Sequence, residues 1–362
     1  MSNDQFQFFD IDYEYSIHKS AINKIAMFTD IHWGNHHNSV QHNLDCTTYI
    51  EWFIHQVAKN NVDAIFFLGD WFEHRGAINS LTSYYSINAL RRLNSLDIPV
   101  LMLVGNHDLY HRHNREIHSA ETFRELKNIH IIDQPSKLGD MLLLPYLFKD
   151  EYPLIAPQVN QSKYVFGHFE FRNFYLTGTN ARAEHGYHHK LFDGPTHIFS
   201  GHYHKRQATD NVIYIGNPFG TSYADAGDYE RGCCMLDIHT EEVSFIDYEA
   251  GPTYLKTELS SLVDELVKPR PKARIRCLLD IEVTYSEAQA IKSEFMELYD
   301  LRELILEENA KEQQSALEES MAELEELDLS SLDETVMKLI ETGVQSTSTI
   351  VPTKLVAIYK DL

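Results

Sequence analysis

Residues 98–118 read IPVLMLVGNHDLYHRHNREIH. A run of mostly apolar, partly β-branched residues from Ile98 to Val104 stops at Gly105-Asn106-His107-Asp108. A short apolar run bounded by turn formers predicts a strand buried on both faces. An amide, an imidazole and a carboxylate placed together where that strand ends suggest chemistry, provided the pattern recurs.

It recurs four times. "KIAMFTDIH" closes on Asp30 and His32, "DAIFFLGDWFEHR" on Asp70, "SKYVFGHFE" on Gly167-His168, and "THIFSGHYH" on Gly201-His202 with His204 following. Helical patterns, "QHNLDCTTYIEWFIHQVAKN" and "SLTSYYSINALRRLNSL", separate the first three runs. Strand, helix, strand predicts an α/β architecture with much parallel pairing. In such sheets ligands bind beyond the carboxyl ends of the strands. Asp30, His32, Asp70, Asn106, His168, His202 and His204 would then meet at one edge. Oxygen and imidazole donors without a thiolate suit Mn²⁺, Fe, Zn²⁺ or Co²⁺. Seven donors are too many for one ion and fit two ions sharing a bridging carboxylate. Any one glycine-histidine turn arises by chance; five in order, each after a strand, do not.

With 43% hydrophobic and 12% aromatic residues, the 362-residue chain is globular, long enough for one large domain and one or two small ones. It has no apolar run near the roughly 18 residues that cross a bilayer. Its first residues lack a signal-peptide pattern, so a cytoplasmic, membrane-free protein is expected. Cys46, Cys233, Cys234 and Cys277 form no C-x-x-C pair and are expected to be reduced, partly buried thiols. The formal charge of −23 argues against nucleic acid until its distribution is considered: Glu287–Glu341 holds 17 acidic and 4 basic residues, more than half of the excess.

Together the motifs Asp30-Ile31-His32, Gly69-Asp70, Gly105-Asn106-His107-Asp108, Gly167-His168 and Gly201-His202-Tyr203-His204 resemble the calcineurin-like metallophosphoesterase superfamily. The likeness runs from Lys24 to Glu249. Within it, "FTDIHWG", "FLGDWFEHR", "VGNHDLY", "SGHYHKRQ" and "VIYIGNPFGTSYADAGDYERGCCMLDI" are similar to SbcD-type DNA repair nucleases, which include a phage recombination endonuclease subunit working with an SMC-like ATPase. The resemblance implies a β-sandwich core flanked by helices, a small β-α-β capping domain and a C-terminal helical segment. The corresponding divisions are an N-terminal extension (1–23), a nuclease domain (24–250), a capping domain (251–308) and an acidic helical linker with a partner-binding segment (309–362).

The resemblance also implies one ion on Asp30, His32, Asp70 and His204, and a second on Asp70, Asn106, His168 and His202, manganese being the usual metal. His107 would be the catalytic histidine. Glu73 stands where relatives often carry His or Asp, and is expected to orient His107 as a carboxylate–imidazole pair. Two divalent cations, two aspartates and a bridging hydroxide leave one positive charge, which a phosphodiester monoanion neutralises. A monoester would call for the extra arginine of phosphoprotein phosphatases, whose aligned position here is His74, with Arg75 next.

Hydrolysis of DNA is therefore the expected activity. Arg75, Arg112, His113, Arg115, Arg172, Lys205 and Arg206, just beyond the motifs, are candidate phosphate contacts, as are Arg270, Lys272 and Arg274 in "RPKARIR". Each could equally be an ordinary surface charge. Expected partners are DNA, an SMC-like coiled-coil ATPase and a second copy of the chain. Ser331 and Glu334 have capping-box spacing, and Leu332, Val336, Leu339 and Ile340 share a helical face, so residues 329–362 either dock the ATPase or pack on their own domain. Alternative readings are a phosphatase or cyclic-nucleotide phosphodiesterase of the same fold, or a non-catalytic scaffold for the ATPase.

Overall fold

A computed structural model of the protein describes residues 8–18, 21–176 and 181–308. In chain order its strands are β1 (Phe9–Asp10), β2 (Lys24–Phe28), β3 (Ala64–Phe67), β4 (Val100–Leu103), β5 (Ile129–Ile132), β6 (Ser136–Leu138), β7 (Met141–Leu144) and β8 (Tyr164–His168). They continue as β9 (His197–Gly201), β10 (Gln207–Thr209), β11 (Val212–Tyr214), β12 (Gly232–Asp237), β13 (Glu242–Asp247), β14 (Tyr254–Glu258), β15 (Arg274–Leu278) and β16 (Glu303–Glu307). The helices are α1 (Ile11–Tyr15), α2 (Asn35–Asn38), α3 (Val40–Lys59), α4 (Ser80–Asn94), α5 (Glu151–Val159), α6 (Leu259–Val263) and α7 (Tyr285–Leu298).

A six-stranded sheet runs β13-β12-β2-β3-β4-β5 and a seven-stranded sheet β1-β6-β7-β8-β9-β11-β10. The strand period of two explains how they stack. Ile25, Met27, Phe66, Leu101 and Leu103 of the first sheet meet Met141, Leu143, Tyr164, Phe166 and Phe199 of the second in one buried layer. The alternate residues Ala26, Phe28, Ile65, Phe67, Val100 and Met102 face α3 and α4. On the far side Leu142, Leu144, Val165, Ile198 and Tyr214 pack under α5. Both faces of each sheet are thus covered, which is why the central strands are continuous apolar runs. Helix α3 presents Cys46, Tyr49, Ile50, Phe53 and Val57 at helical spacing, with the Phe28 ring 4.6 Å from Phe53.

Three expectations are refined. The described part of residues 1–23 belongs to the core rather than lying outside it: β1 pairs in parallel with β6, and Ile11, Ile17 and Ile22 enter the layer between the sheets. The C-terminal unit has one strand more than expected. Besides β15, α7 and β16, the segment β14 completes a parallel sheet β14-β15-β16; only its Tyr254 is fully buried, so no apolar run announces it. All four cysteines are fully buried and unpaired. Arg302, just ahead of β16, makes a two-pronged ion pair at 2.6 Å with Asp45 of α3, tying this unit to the large one. No helix among the described residues is long and apolar enough to cross a membrane. The expected partner-binding helix around Ser331–Ile340 lies outside the described residues.

Candidate metal centre

The chain changes direction sharply where the strands end. Asp30, His32, Asp70 and His202 all adopt positive φ, at 52°, 51°, 60° and 90°. Each such residue costs about 1 kcal/mol or more in an L-amino acid, so the surroundings must hold it there. Two glycines make room: a Cβ on Gly105 would lie 2.3 Å from both the Asp70 main-chain nitrogen and Oδ1, and one on Gly69, itself at φ +105°, would lie 2.4 Å from His168 Nδ1.

The carboxylate of Asp108 then joins the two loops. It accepts main-chain N–H bonds from Gly105 (3.0 Å), Asp70 (3.0 Å), Trp71 (3.0 Å) and Phe72 (3.1 Å). No sequence pattern marks Asp108 for this task.

The seven expected donors come together. His32 Nε2 is 3.1 Å from His204 Nε2, and the two stand 3.8 and 3.9 Å from Asp30 Oδ1. Beside them, Asn106 Oδ1 is 2.9 Å from His168 Nε2 and 2.9 Å from His202 Nδ1, and Asp70 Oδ2 is 3.3 Å from His168 Nε2. Asp70 Oδ2 also stands 3.9 Å from His32 Nε2, so it faces both groups. Ligand atoms around an ion at about 2.1 Å lie roughly 3 Å apart. The donor spacing and chemistry therefore fit two divalent cations, with Asp70 between them.

Electrostatics agree. Burial opposes a charge on His32, yet Glu73, Asp70 and Asp30 outweigh it and push its pKa up to about 9. Burial likewise opposes a charge on His168, and Asp70 and Asp30 push it up to about 9. Against its own burial, Asp70 is held below the ordinary carboxylate range by His168 and His32. His202 goes the other way: burial, helped by the His168 charge, lowers it to about 3 and keeps it a neutral donor.

Supporting contacts fix the rings. Glu73 does so differently from expectation. Its carboxylate stands 2.9 Å from His32 Nδ1, whereas its main-chain carbonyl accepts from His107 Nδ1 at 2.8 Å. The His107 main-chain N–H donates to Asp70 Oδ1 at 2.7 Å. Buried His42, lowered to about 4 by desolvation, donates Nε2–H to the His32 carbonyl at 2.9 Å. Buried Arg231 donates to the His204 carbonyl at 2.8 Å and to the Asn217 side chain, and pairs with Asp225 at 3.1 Å and Asp228 at 2.8 Å. No periodicity marks these residues; a buried charge shows itself only once its partners are in place.

The basic candidates divide. Arg115 is committed to Glu151 and to the Tyr146 carbonyl (2.9 Å), and Arg206 to Asp247 (2.7 Å). Arg274 stands 3.7 Å from Glu303, and Arg270 lies 4.4 Å from the centre of the Tyr229 ring. The Lys272 main-chain N–H donates to the Asp300 carbonyl at 2.7 Å, and its ammonium has no carboxylate within ion-pair distance among the described residues. Arg75, Arg112, Arg172 and Lys205 have no carboxylate within ion-pair distance among the described residues.

Aspartate, histidine and asparagine donors paired at the strand ends of a two-sheet sandwich define a metal-dependent hydrolase. Residues 23–213 match the calcineurin-like phosphoesterase family, and the chain belongs to it. That fold normally uses two divalent metals. The chain is 28% identical over 195 residues to exonuclease subunit 1 of Enterobacteria phage T4, a match spanning 52% of this chain and 57% of that protein. Solved structures that align with it include a dimetal phosphatase from Danio rerio, at 9% identity and a TM-score of 0.41 over 60% of this chain and 93% of the other. Another is a nuclease from Pseudomonas putida, at 13% identity and a TM-score of 0.31 over 61% and 87%.

Proposed function

We propose that the protein is a Mn²⁺-dependent exo/endonuclease that hydrolyses DNA phosphodiester bonds as a subunit of an ATPase-coupled recombination or repair complex. The observation that carries this reading is the convergence of all seven donors with His107 beside them, in a chain similar to a phage exonuclease subunit. Asp30, His32, Asp70 and His204 would hold one ion and Asp70, Asn106, His168 and His202 the other. Such ions, when bound, lower the pKa of water and neutralise the phosphate.

The chain's own residues do the rest. A carbonyl can only accept, so the bond from His107 to Glu73 puts a proton on Nδ1 and leaves Nε2 as the working nitrogen. In its charged form His107 gives the Nε2 proton to the departing sugar oxygen, a contribution of roughly 10²–10⁴-fold. With two carboxylates among the ligands, the charge balance suits a diester monoanion. His107→Ala should keep metal and DNA binding while cleavage falls by about that factor; near-normal cleavage by the variant would sink this role. Comparing DNA with cyclic nucleotides and p-nitrophenyl phosphate tests the substrate class, and preference for the last would overturn the nuclease reading.

Partner binding is assigned to residues 329–362. Removing Ser330–Leu362 should abolish co-purification with the ATPase and spare manganese-dependent cleavage, whereas retained association would refute the assignment. A homodimer is supported by Val40, Leu44, Leu81 and Tyr84, large apolar side chains left exposed at the starts of α3 and α4.

A further inference from the structure

A hairpin beside the metal centre brings together two cations, Arg182 on the hairpin and Lys205 facing it, that have no carboxylate within ion-pair distance among the described residues. Tyr175 and Arg182 face each other across an antiparallel bridge, and the Leu176 N–H donates to the Ala181 carbonyl at 3.0 Å. The His204 N–H donates to the Leu176 carbonyl at 3.3 Å, which attaches the hairpin to the turn bearing a metal-site histidine. Gln207 secures the same point: its side chain accepts from the Tyr175 N–H at 2.8 Å and donates to the Tyr175 carbonyl at 2.7 Å.

Two side chains converge on the tyrosine ring. Arg182 Cζ lies 4.2 Å and Lys205 Nζ 4.8 Å from the Tyr175 ring centre, so the cations are no further apart than the sum of those distances. Arg182 also donates to the Tyr175 hydroxyl at 2.9 Å and to the Asn173 carbonyl at 2.7 Å. Neither cation has a carboxylate within ion-pair distance among the described residues. In a chain of net charge −23 most arginines here find an acid, as Arg92, Arg115, Arg124, Arg206, Arg231 and Arg302 do. Two like charges held on one ring, with no acid beside them among the described residues, attract an anion. The ring orders them through cation–π attraction, at about 0.5–1 kcal/mol each where exposed, so an incoming phosphate need not arrange them.

We infer that Arg182 and Lys205, ordered on the Tyr175 ring, bind a backbone phosphate of the substrate strand next to the one cleaved at the metal centre. This rests on the nuclease reading and deepens it: the substrate is a polynucleotide, gripped at a phosphate beyond the scissile one. A small diester has no such second phosphate. Lys205 adjoins His204, so the gripped phosphate lies on the His204 side of the centre. Contacts of this kind position the strand without reading its sequence.

The test compares the full-length protein with an Arg182→Ala/Lys205→Ala double variant and with Tyr175→Leu, using an oligonucleotide and bis(p-nitrophenyl) phosphate with Mn²⁺. Oligonucleotide kcat/KM, taken relative to that for the small diester, should drop on the order of tenfold in the double variant. The slope of log affinity against log salt should become shallower by about one unit per cation removed. Tyr175→Leu, which keeps both charges and loses their ordering, should raise the oligonucleotide KM with little change of slope. An unchanged slope and selectivity ratio, or a proportional fall for both substrates, would overturn the inference while leaving the nuclease reading intact. A wild-type protein that hydrolyses the small diester and no oligonucleotide would overturn both.

Discussion

Asp108 bears more of the site than any residue that would touch a metal. Its four main-chain N–H partners come from both loops that frame Asp70 and Asn106. Asp108→Ala would strand those buried donors, and the expected loss is about 3–5 kcal/mol, read as a fall in denaturant midpoint without change of slope. Loss below 1 kcal/mol would mean that water replaces the carboxylate. His32 and His168 lead to a second outcome. With pKa values raised to about 9, both hold protons at neutral pH when no metal is present. Their stabilisation of the metal-free fold is complete below the unfolded value of about 6.5 and disappears as pH rises through about 9. A metal must displace those protons, so its affinity should climb with pH up to about 9. Calorimetry at pH 7 in two buffers of different ionisation heat should register proton release on Mn²⁺ binding; equal heats would contradict it.

At the scale of elements, the five strand ends were legible because burial on both faces leaves an uninterrupted apolar run, and any polar cluster that ends it stands out. Helices α3 and α4 were legible for the same reason at a different period. Strand β14 and the edge strand β1 were not, since β14 buries only Tyr254 fully and β1 is two residues long. The turns themselves carry a test. Gly105→Ala places a methyl carbon 2.3 Å from the Asp70 main-chain nitrogen and Oδ1, neither of which can retreat without moving a donor. Metal affinity should fall about 10–100-fold, with a smaller effect on the unfolding midpoint. Normal affinity would show that the strand ends yield.

For the whole molecule, the small sheet β14-β15-β16 is joined to α3 by the Arg302–Asp45 pair, two-pronged and only partly exposed. Arg302→Ala should cost about 1–2 kcal/mol. Amide exchange should quicken in β14–β16 and stay slow in β2–β4, whereas uniform quickening would mean a single cooperative unit. The roles of Glu73 and the basic residues also belong to this scale. Sequence placed the Glu73 carboxylate on His107; the fold brings His32 to that carboxylate and gives His107 the carbonyl. Arg115 and Arg206 looked as free as Arg172 until Glu151 and Asp247 arrived from elsewhere in the chain.

The sequence by itself determined which residues would end buried strands and which of them could donate to a metal, because burial and turn chemistry are written locally. Only the tertiary structure decided how those ends meet. β2, β3 and β4 lie in one sheet and β8 and β9 in the other, so the centre forms across the seam between two layers rather than along one edge. Local patterning fixes the face and end of each strand, but pairing between layers is settled by how their side chains fill the space between them, and no single strand encodes that.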